Sequence, residues 1–162
     1  MVTLIAAALL GQKYNTWLSV SFARETAIAP PLAINAKSKF KVSIFNGTKD
    51  PIKFIGEGCS WGWDVLSFEL KNPAGKISKI TRIPTGWDRN HPIPIMLESL
   101  GMTLRTIDFD SKTWTGFAPG IAGQNTGWQI RAIVELKSEP ILRKENFWTG
   151  KITSGWTPAT VG

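Results

Sequence analysis

The chain has 162 residues, 43% of them hydrophobic and 19% charged, and these values exclude an intrinsically disordered protein. A single cysteine excludes an internal disulfide, and no paired CxxC spacing suggests a zinc site. Nineteen Lys and Arg against 12 Asp and Glu give a net charge of +7, which favours acidic partners such as an acidic polysaccharide. These basic residues are scattered and no nucleic-acid-binding motif is present, so we expect no specific binding to nucleic acid.

The first dozen residues, MVTLIAAALLGQ, form an apolar run that is too short for a transmembrane span, which needs about 20 residues. The run resembles the core and end of an export signal, with Ala6 and Ala8 in an A-x-A arrangement, although a positively charged start is missing. We therefore expect residues 1–12 to be a truncated export signal or an N-terminal arm of an extracytoplasmic protein, periplasmic or secreted. Residues 13–162 contain no low-complexity linker and are predicted to form one domain.

Apolar residues then recur with a period of two, in short blocks separated by Gly, Pro and Asn, which is typical of antiparallel β-structure. The first two blocks predict half-buried strands, whose inward residues are Leu18, Val20 and Phe22 in one and Phe40, Val42 and Ile44 in the other. The segment FNGTKDP, residues 45–51, has the chemistry of a turn from which the chain returns into residues 52–55.

The alternation continues through the second half of the chain. Residues 66–71 and 76–83 flank NPAG, whose residue order is typical of a type I turn, and they predict a hairpin. Residues 95–97 and 102–109 flank the turn ESLG and predict a further pair, while 128–136 and 147–154 predict the closing strands. The alternation also predicts that the following residues point inward: Leu66, Phe68, Ile130, Ala132 and Val134. The sequence therefore predicts an all-β fold, an antiparallel β-sandwich of seven to nine strands, which the resemblance described next implies to be an immunoglobulin-like antiparallel β-sandwich.

Five segments carry a family resemblance: KFKVSIFNGTKDPIKF, WDVLSFELKNPAGK, IMLESLGMTLRTIDF, WQIRAIVEL and FWTGKITS. In this order they resemble small bacterial immunoglobulin-like sandwich proteins, which include the intracellular proteinase inhibitor type and uncharacterised exported relatives. The resemblance covers roughly residues 16–157 and rests on turn and core motifs, so it implies a fold and leaves the activity open. No inhibitory loop can be transferred residue by residue.

The sequence argues against the enzymatic and metal sites that a β-sandwich can carry. A blue-copper centre needs two histidines beside a cysteine, and this chain has only His91. A Cys59 nucleophile activated by His91 lacks any local protease motif, and a free cysteine is most often a small buried apolar residue. Asp64 and Asp88 both follow Gly-Trp, but such aspartates more often accept backbone hydrogen bonds at turns than act as a catalytic pair. We expect no enzyme activity, no cofactor and no metal.

Eight tryptophans are the most informative residues of the chain. The phase of Trp128 predicts a core position, whereas Trp61 and Trp63, two positions apart, would point the same way in an extended chain and form either a plug or a binding platform. Because two GWD stretches flank the predicted hairpin, we expect Trp63 and Trp87 to be neighbours, with Trp63 mostly buried and Trp87 at least partly exposed. The candidate binding surface comprises Trp61, Trp63, Asp64, Trp87, Asp88, Arg89 and His91.

These observations favour a non-catalytic exported accessory or structural module that binds another protein or self-associates. Two alternatives stay open. A carbohydrate-binding module would use exposed tryptophans, and a protease inhibitor would present a loop.

Overall fold

A computed structural model describes residues 18–23, 30–35, 37–87, 90–117 and 126–162. Strands contain 50% and helices 8% of the described residues, which confirms an all-β fold. The described residues form twelve strands, where seven to nine were predicted. The difference arises because several strands are too short to give a clear alternating pattern. The strands are β1 (Leu18–Ala23), β2 (Leu32–Ile34), β3 (Lys39–Asn46), β4 (Ile52–Ile55), β5 (Leu66–Lys71), β6 (Ile77–Arg82), β7 (Pro94–Leu97), β8 (Met102–Asp108), β9 (Trp114–Thr115), β10 (Trp128–Leu136), β11 (Gly150–Thr153) and β12 (Thr157–Val161); the two helices are α1 (Ser60–Asp64) and α2 (Pro140–Lys144).

The strands form three sheets. The smaller of the two main sheets has the order β1-β3-β8, and the larger has the order β2-β12-β10-β5-β6-β9 with β11 also paired to β10. A two-stranded sheet joins β4 to β7. Pairing is antiparallel throughout the described strands except between β2 and β12, which are parallel. The larger sheet curls into a half-barrel.

Phe68, at the centre of β5, joins the two main sheets. Its ring is fully buried and its centroid lies 6.2 Å from Phe22 in β1, 5.5 Å from Phe40 in β3 and 5.3 Å from Phe109 after β8. Such tilted and edge-on ring pairs stabilise beyond the area they bury. The alternating residues predicted to be inward are therefore buried, with Phe40 half-buried: Val42, Ile44, Leu66, Phe68, Ile130, Ala132 and Val134.

Two predicted strand pairs are wrong. Residues 52–55 do form a strand, but β4 pairs with β7, and β8 pairs with β3. The chain therefore builds one long antiparallel ribbon, β3 and β4 on one side and β7 and β8 on the other, which is interrupted at residues 47–51 and 98–101. The turn residues of FNGTKDP and ESLG produce this interruption.

Asn46 holds the interruption together. Its side chain is fully buried, and its amide nitrogen lies within hydrogen-bond distance of the carbonyls of Asp50, Leu97 and Glu98, at 2.9 to 3.1 Å. The Oδ1 atom accepts from the backbone N–H and the hydroxyl of Thr48. One polar side chain thus pairs backbone groups that the ribbon leaves unpaired on both of its sides.

Short elements late in the chain differ from the prediction. The strand expected over residues 147–154 is confined to β11, since α2 and a loop precede it, and β2 and β12 were not predicted. Trp128 is buried as expected. Residues 1–12, predicted to be an export signal or arm, lie outside the described residues.

We predict that Asn46→Ala lowers the free energy of unfolding by about 2 to 4 kcal/mol, because it leaves buried carbonyl groups without donors. Urea denaturation followed by tryptophan fluorescence measures the effect. Asn90→Ala is the matched control, since the bonds of Asn90 to described residues are with Ser60 at an exposed position, and we expect a loss below about 1 kcal/mol. Equal losses for the two variants would contradict the role given to Asn46.

Candidate functional site

Within the stretch CSWGWD, residues 60–64 form one helical turn, α1. The chain is therefore not extended here, and an extended chain is the conformation in which Trp61 and Trp63 would point the same way. The backbone N–H of Trp63 donates to the carbonyl of Cys59 at 2.8 Å. Gly62 approaches the preceding loop so closely that a methyl group on it would lie 1.6 Å from the carbonyl oxygen of Gly56. Any side chain at this position would collide with backbone, so close packing of α1 on the loop requires glycine.

The helical turn separates the two tryptophans that an extended chain would align. The indole N–H of Trp61 donates to the carboxylate of Glu139 at 2.9 Å, whereas that of Trp63 donates to the carbonyl of Ile83 at 2.9 Å. Successive helical residues are rotated by about 100°, so positions two apart face different ways. The pair is therefore not a flat two-ring platform.

The predicted neighbourhood of Trp63 and Trp87 is confirmed. Their ring centroids lie 6.2 Å apart, edge to face, so the two GWD stretches meet at one end of the domain. Both rings are half-buried, which agrees with the prediction that Trp63 is mostly buried and Trp87 partly exposed. The guanidinium of Arg82 lies 4.2 Å from the centroid of Trp63 and 5.0 Å from that of Trp114, within the range of cation–π attraction.

Two arginines converge on one carboxylate beside this corner. Glu57 Oε1 accepts from Arg82 Nη2 at 2.8 Å and lies 3.0 Å from Arg105 Nη1, while Arg105 Nη2 donates to the carbonyl of Ile55 at 2.7 Å. The arginine side chains are 10% and 3% exposed. Burial lowers the pKa of the Arg105 guanidinium from its ordinary value, and Glu57 opposes this shift. The arrangement places a partly compensated positive charge beside this corner.

The other predicted site residues are dispersed. Cys59 is buried and its thiol contacts the carbonyl of Gly56 at 3.5 Å. His91 is exposed and its Nε2 lies 3.8 Å from Glu145. Asp64 is exposed at the end of α1, and Asp88 and Arg89 lie outside the described residues. The corner is thus built largely from side chains that bind one another.

A second surface, which the sequence analysis missed, lies on the outer face of the β1-β3-β8 sheet. Phe45 is paired directly with Met102 across β3 and β8, and Leu104 follows on the same face of β8. These three residues, the apolar band, are 38%, 66% and 51% exposed. Leu100, in the turn directly before β8, is 67% exposed and has a positive φ of 56°.

A change of phase within β8 could have revealed the apolar band. Apolar residues occupy Met102 and Leu104 and then Ile107 and Phe109, so in a strand the first two and the last two must face opposite sides. The structure buries Ile107 and Phe109 and exposes the other two. The prediction of one half-buried strand over residues 102–109 did not take this change of phase into account.

The two GWD glycines give a matched test of the corner. We predict that Gly62→Ala destabilises the protein by about 3 kcal/mol or more, because its methyl group meets backbone that cannot move freely. A methyl group at Gly86 meets no atom of the described residues within 4 Å, so Gly86→Ala should change the unfolding free energy by under about 0.5 kcal/mol. Thermal and urea unfolding measure both; similar stabilities would refute the packing of α1 on Gly56.

The two corner tryptophans should differ in the same way. Trp63→Ala removes a hydrogen bond to Ile83, the Arg82 contact and a ring pair, and should cost about 2 to 4 kcal/mol of stability. Trp87→Ala removes the ring pair and should cost about 1 kcal/mol. Chemical unfolding distinguishes the two variants, and a larger loss for Trp87→Ala would overturn this account of the corner.

Comparison with known proteins gives no family. No protein-family model matches the chain, and no curated protein matches it significantly. No helix among the described residues is long and apolar enough to cross a membrane, and the same residues contain no cluster of three His, Cys, Asp or Glu side chains placed to hold a metal. The resemblance to small bacterial immunoglobulin-like proteins stays a prediction.

Proposed function

We propose that this protein is a non-catalytic binding module of the immunoglobulin-like sandwich type, that it works outside the cytoplasm, and that it binds another protein through the outer face of the β1-β3-β8 sheet. The apolar band carries the proposal. Contiguous exposed apolar residues mark interaction surfaces, whereas apolar residues scattered singly over a surface are ordinary.

The outer face of the larger sheet supports the choice by contrast. Its central residues are polar and paired with one another: Arg131 donates to Glu69 at 2.7 Å, and the cationic groups of Arg131 and Lys71 each lie 4.5 Å from the ring of Trp156. These side chains already have partners and favour contact with water. The side chains of the apolar band are neither polar nor paired with one another. Covering them with a partner would remove apolar surface from water.

The carbohydrate-binding alternative has less support at the predicted corner. A sugar platform uses exposed aromatic rings with free polar groups, but the indole N–H groups of Trp61 and Trp63 are bound internally. Only Trp87 remains for stacking there. No observation favours the protease-inhibitor alternative.

We predict that a binding partner is retained by the immobilised wild-type protein and lost by the Met102→Ser, Leu104→Ser double variant. Capture from an extract of the source cells, mass spectrometry and calorimetry with the purified partner measure this. Ile77→Ser is the control, because Ile77 is 48% exposed on β6, outside the apolar band. Equal capture by all three proteins, or retention of glycans instead of a protein, would contradict the proposal.

A further inference from the structure

Among the described residues, no strand pairs with the backbone groups at the edge of β8 beside the apolar band. Within the described part of the chain, β8 is the last strand of its sheet. Phe109 N–H donates to the carbonyl of Ser38, and Asn46 N–H donates to the carbonyl of Gly101. Bonding alternates along an antiparallel pair, so the odd-numbered residues of β8 bond to β3. The backbone groups of its even-numbered residues point away from β3.

This edge has few of the features that block strand addition. Edge strands are usually protected by proline, by a bulge, by lysines or by great shortness. The sequence of β8 is MTLRTID, which contains no proline and no lysine, and its pairing with β3 runs without a bulge from Met102 to Asp108. Its two charged side chains are Arg105, which points inward and is the one protecting feature, and Asp108, which is paired with Lys39. Seven residues span about 23 Å, enough for several hydrogen bonds to an added strand.

The charges on the outer face are arranged unevenly along the strands. Lys39 and Lys41 lie on the same face of β3 as Phe45, about 13 to 20 Å farther along the strand. Lys39 is paired with Asp108 at 2.8 Å, whereas the exposed Lys41 forms no ion pair with any described residue. The face is therefore apolar at one end and cationic at the other.

We propose that the partner supplies an extended segment that adds as a strand to the free edge of β8, with alternating apolar side chains on the apolar band and acidic side chains toward Lys41. This inference rests on the proposed function and names the chemistry of the partner at the same surface. Backbone hydrogen bonds give such strand addition its affinity, and side chains at alternate positions give it specificity.

A second copy of this chain fits the surface less well. In a two-fold antiparallel pair of β8 strands, the cationic end of each copy would lie against the apolar end of the other. Each chain also carries a net charge of +7, which opposes association of two copies and favours an acidic partner.

Synthetic peptides test the inference on the full chain. The probes are fluorescein-labelled peptides of seven residues, the length of β8, in which valine alternates with threonine and two glutamates stand at either the first or the last positions. Matched peptides carry lysine in place of glutamate. Fluorescence polarisation measures binding, and hydrogen exchange measures protection of the β8 backbone. We expect one glutamate peptide to bind and to protect β8, and both lysine peptides to bind at least about tenfold more weakly.

Three variants locate the binding. Thr106→Pro removes an N–H that points away from β3, so it preserves the ladder and should weaken glutamate-peptide binding about tenfold or more. Leu104→Ser should weaken it about tenfold, and Ile77→Ser should leave it unchanged. Circular dichroism and unfolding curves confirm that each variant is folded.

Several outcomes would overturn the inference. Equal binding of lysine peptides, no binding of any peptide, a dimer in light scattering, or sedimentation of the chain with phosphatidylglycerol vesicles in place of peptide binding would each do so. If Thr106→Pro keeps full binding to the captured protein while the Met102, Leu104 double variant loses it, the partner covers the face without adding a strand. That result overturns this inference and leaves the proposed function standing.

Discussion

The arrangement of both candidate surfaces depends on the buried side chain of Asn46. It bonds to the carbonyls of Leu97 and Glu98 on the opposite side of the ribbon, at the point where β3 gives way to β4. This link sets where β8 begins, and so which residues of β8 face outward. It also places β4, whose last residue, Ile55, provides the carbonyl that binds Arg105. A single amide thus connects the geometry of the apolar band to that of the corner.

The register of β8 could not follow from hydrophobicity alone. A slip of one residue would exchange its two faces, and each face contains apolar residues, Met102 and Leu104 on one and Ile107 on the other. Polar contacts resolve the ambiguity. Arg105 finds Glu57 and the carbonyl of Ile55 only when it points inward, and a buried guanidinium without these partners would be strongly destabilising.

Local patterns predicted local structure well. The hairpin of β5 and β6 forms because Asn72 accepts from Gly75 N–H through its carbonyl and from Lys76 N–H through its side chain, and Gly75 adopts a φ of 85°. The turns at FNGTKDP and ESLG are also real. What the sequence could not reveal is that these two turns face each other and interrupt one ribbon, because strand partners far apart in the chain are selected by packing.

In the candidate site, too, the feature that depends on local pattern was predictable and the feature that depends on long-range packing was not. The meeting of Trp63 and Trp87 was predictable, since antiparallel pairing of the hairpin between them brings its flanks together. The helical turn of α1 was not, because it depends on the contact between Gly62 and the backbone of Gly56. The apolar band was not predicted for a related reason. Its residues have the pattern of a buried strand face, and only the partner strand and its register show that they face outward.

An exposed apolar band on an unprotected edge strand is a hazard that stability alone would not favour. It offers both apolar surface and free backbone groups to any strand nearby, which is the usual route to aggregation. The net charge of +7 and the lysines of β3 at the far end of the same face oppose contact between copies. The same charges would attract the acidic segment proposed above, so in that proposal one feature both limits self-association and selects the partner. Packing within the domain explains the corner tryptophans and arginines, but it does not explain why Met102 and Leu104 face water, and the proposed binding would account for their exposure.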